Sequence, residues 1–170
     1  SYGIAGFDQI KNKRPFALLY FEPRMQQIYR TWARELLTRK NPYTGLPIAR
    51  DPAVAIIEIV NEDSFFFWTF SKRNIPPVHW ARLERLFGQW LAKRYGSLQA
   101  AFAAWPKAHL PSDNAAEGRA GLYEAWHMTR SGLKHGGPDK RKRVADQVRF
   151  LAELQRKFYE DTVRYFKDEL

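Results

Sequence analysis

The chain has 170 residues, 45% apolar and 15% aromatic, with a net charge of +10. This suits one folded domain with a sizeable core and excludes a disordered chain. With no cysteine, disulfides, thiolate metal sites and thiol nucleophiles are excluded, and no apolar run reaches the roughly 18 residues of a membrane span.

Residues 1–21 read as irregular, with Gly3, Gly6 and Pro15 followed by the apolar stretch Phe16 to Phe21, a short strand or, in preference, an extended loop. Pro23 suits the first turn of a helix. Met25, Ile28, Tyr29, Trp32, Leu36 and Leu37 then recur at helical spacing on one face. Arg39-Lys40 suit its C-terminal turn. Asn41-Pro42-Tyr43-Thr44-Gly45 is a turn cluster, and the loop continues to Pro52.

The most distinctive segment follows. Seven of the eight residues from Ala53 to Val60 are apolar, and the run stops at Asn61-Glu62. A continuous Ile- and Val-rich run predicts a strand buried on both faces, as in a parallel sheet. It is the only convincing strand in the sequence. A lone strand leaves both edges unpaired, so poor solubility or non-native packing of that strand is expected if the chain stands alone.

Ser64 to Phe70 is aromatic without a clean period, and Pro76-Pro77 precedes a strong amphipathic helix carrying Trp80, Leu83, Leu86, Phe87, Trp90 and Leu91. Gly96 suits its end. Ser97 suits the cap of a short helix with Leu98, Ala101, Phe102 and Trp105, broken by Pro106 and Pro111. A helix is expected from about Ala115 to Thr129. After Gly136-Gly137-Pro138, a long amphipathic helix runs from about Lys140 to Glu169, its apolar face made of Val144, Val148, Leu151, Leu154, Phe158, Val163 and Phe166.

Glu62 is the leading chemical candidate. At the end of a buried strand it would be partly desolvated, which raises a carboxyl pKa toward that of a general acid. Asn61 beside it suits a sugar hydroxyl. Glu58 interrupts the apolar run, and a buried carboxylate needs a cationic partner. The four histidines have no ligand spacing, so neither a metal nor any other cofactor is expected. There is no glycine-rich phosphate loop and no nucleophile elbow.

Ile57-Glu58-Ile59-Val60-Asn61-Glu62 resembles the strand-four motif of glycoside hydrolase clan A, the retaining glycosidases built on (β/α)8 barrels. The turn Asn41–Gly45, the stretch Asp51–Ala55 and the segment Trp90–Ser97 with Ala104-Trp105 resemble members of the same clan. Ile57 stands where many members have Trp, and Asp63 where many have Pro. The resemblance implies an α/β fold: a fragment of a TIM barrel, predominantly helical in this segment, with one clear buried parallel strand. It divides the chain into a loop and helix three (1–40), a turn and strand four (41–62), a mostly helical insertion on the catalytic face (63–139) and helix four (140–170).

It further implies that Glu62 is the catalytic acid/base of an O-glycosyl hydrolase and that Asn61 contacts the sugar. Trp68, Trp80 and Trp126 would line the carbohydrate cleft. Such hydrolysis needs a second carboxyl group about 5–5.5 Å away, and no second catalytic strand follows. The chain is therefore expected to be inactive alone, with the rest of a barrel and a carbohydrate as partners. The terminal Lys167-Asp168-Glu169-Leu170 reads as a coincidence with the endoplasmic-reticulum retention signal, and no compartment is assigned.

Two alternatives stand beside this reading. One is a basic helical module that binds nucleic acid or another anion; it ranks lower because the charge is spread widely, with Lys140-Arg141-Lys142-Arg143 the one dense run. The other is a helical interaction domain whose aromatic surface meets a protein.

Overall fold

A computed structural model describes residues 2–10 and 14–170. Five α-helices carry the fold: α1 (Pro23–Thr38), α2 (Pro77–Tyr95), α3 (Leu98–Ala103), α4 (Arg130–Leu133) and α5 (Gly137–Glu169). Short 3-10 turns, including Leu18–Tyr20 and Ala125–Met128, join them.

The helix starts and stops follow local chemistry. Glu22 caps α1 by accepting the Arg24 N–H, and Pro23 holds its first position. Pro77 does the same for α2, which ends at Gly96 in the left-handed region at φ 85°, a conformation that costs glycine little. The Ser97 side chain accepts the Ala100 N–H at 3.0 Å and starts α3.

The core lies between α2 and α5. Phe87 stacks on Phe150 at 5.2 Å between centroids, with Leu83, Leu91 and Leu151 fully buried around them. The N-terminal segment closes one side: Tyr20 packs edge-on against Phe158 at 5.3 Å, and Leu18 is fully buried. Phe70 stacks on Trp80 at 5.1 Å. On α1 the apolar face is only partly used, since Leu37 is buried while Trp32 and Leu36 stay exposed. On α5, Val163 is exposed and Tyr165 is buried in its place.

The expected α/β architecture is corrected. Among the described residues there is no sheet, only the isolated antiparallel bridges Lys40–Pro47 and Asn114–Arg119. Residues 54–58 form no helix, turn or bend, pair with nothing among the described residues and are exposed, Ile56 at 86%. A strand becomes buried only when neighbours cover its edges and faces, and no other described segment supplies one. The fold is all-helical, and the buried parallel strand and the TIM barrel are withdrawn.

The helix expected over Ala115–Thr129 is also absent. Here backbone groups bond across the structure instead: the Ala120 N–H donates to Glu84 O at 3.1 Å. The Tyr123 N–H and C=O both bond the Gln147 carboxamide, each at 2.8 Å. A peptide group committed to a distant partner cannot also close a helical turn. Only the 3-10 turn Ala125–Met128 forms in this stretch.

Candidate functional site

The segment from Asp51 to Ser64 opens on a local turn, is fastened to the body at its far end, and is free between them. At its start, the Val54 N–H donates to Asp51 O at 3.0 Å and the Ala53 N–H to Asp51 Oδ1 at 2.9 Å. At its end, Tyr29 Oη donates to Ile59 O at 2.9 Å. The Ala17 N–H donates to Asp63 Oδ2 at 2.7 Å, and Tyr20 Oη donates to Asp63 O. Gln155 Oε1 accepts the Ser64 hydroxyl and the Phe65 N–H. Between these anchors, the backbone groups of Ala55, Ile56, Ile57 and Glu58 have no hydrogen-bond partner within the described residues.

Burial at Asp63 pushes its carboxyl pKa up, against the lowering effect of the Ala17, Thr69 and Ser64 hydrogen bonds. Its neighbour Glu62 is exposed with φ at 50°, a left-handed geometry that costs a non-glycine residue on the order of 1–2 kcal/mol. Asn61 is exposed next to it. Glu58, expected to need a cation, is exposed and makes no ion pair among the described residues.

The three tryptophans proposed for one cleft lie in different surroundings. Trp68 is exposed and touches Phe67 and Phe16 at ring distances of 5.9 and 6.3 Å. Trp80 is buried in the core, and its indole N–H donates to Glu84 Oε1 at 3.1 Å. Trp126 is 69% exposed on the 3-10 turn before α4. No cluster of acidic residues and histidines able to hold a metal occurs among the described residues.

Two buried charge clusters brace the helical body. Glu84, fully buried on α2, accepts from Trp80, from Ser112 Oγ at 2.7 Å, and from Arg119 Nη2 at 2.6 Å. The hydrogen bond to Glu84 chiefly raises the Arg119 pKa. A cavity of about 210 Å³ lies beside this cluster, lined by Lys72, Trp80, Glu84 and Arg119 among others. Arg143, from the dense basic run, is fully buried and pairs with Asp113.

That run therefore divides. Lys140 donates to Gly132 O at 2.8 Å, Arg143 is buried, and Arg141 and Lys142 face solvent. Arg141 joins Arg130 and Lys134 along an open groove between α4 and α5 of about 740 Å³. Reading the sequence as widely spread charge missed this grouping. The four-residue spacing of Arg130 and Lys134, close before Arg141, was the available signal.

No helix among the described residues is long and apolar enough to cross a membrane. The chain matches no family model, no curated protein and no solved structure. The resemblance to glycoside hydrolase clan A is accordingly corrected: no family match supports it, and the described residues contain no sheet on which its motif would sit.

Proposed function

We propose that this protein is a helical interaction domain that associates by strand pairing along residues 54–58, with a second copy of the chain as its partner. One observation carries this reading: an exposed, Ile- and Val-rich segment whose backbone donors and acceptors at Ala55–Glu58 have no partner among the described residues. Unpaired strand edges of this kind template the addition of another strand.

The segment also suits itself as partner. It has high β-propensity, no Pro or Gly between Ala53 and Val60, and one charge, Glu58; such sequences self-pair. An antiparallel pairing centred on Ile56 places Glu58 opposite Val54 and Ile57 opposite Ala55. The two Glu58 carboxylates are then not directly opposed, so cross-strand repulsion is avoided. The arrangement is two-fold and closes on itself.

Light scattering over a concentration series, with hydrogen exchange at each point, tests the proposal. Association should double the mass and protect the alternate amides that face the partner strand, those of Ala55 and Ile57. Ile57→Pro should abolish both, because it removes a donor and blocks ladder formation. Because both partners carry +10, added salt should strengthen association by screening their repulsion. A chain that remains monomeric at every concentration, with these amides unprotected even beside excess synthetic peptide of residues 53–60, overturns the reading.

A further inference from the structure

The groove between α4 and α5 has no place in the strand-pairing reading. Three cations line it: Arg130 and Lys134 from the α4 side and Arg141 from α5. None of the three makes an ion pair or side-chain hydrogen bond among the described residues. The nearby acids in sequence are already engaged. Asp113 is held by Arg143, Glu124 accepts the Lys72 N–H, and Asp139 accepts the Lys107 N–H. Of these only Asp113 is paired with a cation; Glu124 and Asp139 bond backbone N–H groups, and neither pairs with a groove cation.

The walls of this groove are fixed to each other. Lys140 Nζ donates to Gly132 O at 2.8 Å, tying α5 to α4. A Cβ at Gly132 would lie 2.4 Å from Trp126 O, so α4 sits hard against the turn Ala125–Met128. Thr129 caps α4 by accepting the Gly132 N–H at 3.1 Å. These contacts fix the backbone that carries Arg130, Lys134 and Arg141, and the backbone of Trp126, whose ring is exposed, lies against α4.

We infer that this groove is a binding site for single-stranded nucleic acid, with phosphates along Arg130, Lys134 and Arg141 and a base stacked on Trp126. A cationic groove with an adjacent exposed ring is how sequence-tolerant single-strand binding is built. A membrane surface fits less well. Stable anchoring to a membrane takes more apolar area than one exposed ring supplies, and the one aliphatic lining residue, Leu133, is half-buried within the groove. The site is independent of strand pairing: it uses other residues, and its salt dependence has the opposite sign.

Fluorescence anisotropy with labelled oligothymidylate at several salt concentrations tests it. Affinity should fall as salt rises, the three groove cations contributing about −2 to the log–log slope, at roughly 0.7 per phosphate contact on single strands. The triple variant Arg130→Ala/Lys134→Ala/Arg141→Ala should remove that contribution and weaken binding by about tenfold or more at low salt. Trp126→Ala should weaken binding by about tenfold with the slope unchanged. A control triple, Arg39→Ala/Lys40→Ala/Arg50→Ala, removes equal charge from exposed positions elsewhere and should leave affinity nearly intact. Circular dichroism checks that each variant is folded. Equal weakening by both triples reduces the effect to net charge and overturns the site. Absence of oligonucleotide binding at low salt overturns it too, as does binding to phosphatidylserine vesicles in place of oligonucleotide.

Discussion

Arg143 and Asp113 form a bidentate ion pair inside the helical body. Nη2 reaches Oδ1 and Nη1 reaches Oδ2, both at 2.6 Å. The same guanidinium donates to Ala108 O and Gly121 O at 2.7 Å and lies over the Trp105 ring at 4.4 Å. One side chain of α5 therefore pins the irregular stretch between α3 and α4, which has little regular structure of its own. Arg143→Met should lower stability by about 3–5 kcal/mol, the cost of leaving a buried charge without its partner. Replacing both partners, as Arg143→Met/Asp113→Leu, should cost less than Arg143→Met alone. Urea unfolding measures both.

Asp113 and Asp63 should give opposite pH dependences. Burial alone would raise the Asp113 pKa, but hydrogen bonds from Arg143 and its charge, with the Leu110 and Gly121 N–H groups, hold it below the usual carboxylate range. Its stabilisation is present above the unfolded value of about 3.9 and is lost as pH falls through the lower folded value. Asp63 is raised by burial. Its contribution is fully present below the unfolded value and declines as pH rises through the folded one. Asp113→Asn should flatten the acid limb of a plot of urea midpoint against pH, and Asp63→Asn the limb just above it. Matching changes in the two variants would contradict these assignments.

Gly88 lies within α2, where alanine normally stabilises an exposed helix by about 1 kcal/mol over glycine. Here a Cβ would fall 2.0 Å from Gly118 O. That is backbone, which cannot swing aside like a flexible side chain. Gly88→Ala should therefore destabilise by about 1–3 kcal/mol or more, the range for overpacking. A thermal melt that shows stabilisation would mean that the 114–119 turn does not press on α2 as described.

The exposed segment should show its anchoring in two contrasting substitutions. Tyr29→Phe removes the donor to Ile59 O and should cost about 1 kcal/mol. Ile56→Lys, at the most exposed apolar position of the run, should change monomer stability by less than about 0.5 kcal/mol. Chemical denaturation of dilute protein distinguishes them. A large loss from Ile56→Lys would mean that the segment is packed within the monomer.

Much of the helical framework is legible in the residues themselves. Pro77 and Gly96 bound α2, Ser97 starts α3, and the apolar spacing of Val144, Leu151 and Phe158 marks α5. The candidate surfaces are less so. Trp80 and Trp126 are the same residue type, yet one is buried against Phe70 and Glu84 and the other stands in solvent. Likewise, nothing local distinguishes Arg141 from Arg143 in a run of four cations. The helical rotation of two residues carries one toward Asp113 and leaves the other in the groove.

The sequence by itself determined the starts of α1 and α3, the bounds of α2, and the absence of a long apolar helix able to span a membrane among the described residues. These depend on capping chemistry and run length, both of which act between near neighbours in the chain. Only the tertiary structure decided that the apolar run is unpaired and exposed, that residues 115–124 are not a helix, and that three cations converge on one groove. Burial and pairing require a second surface, and residues distant in sequence supply it or fail to. A run of Ile and Val favours a strand, but it cannot supply the neighbours that would bury it.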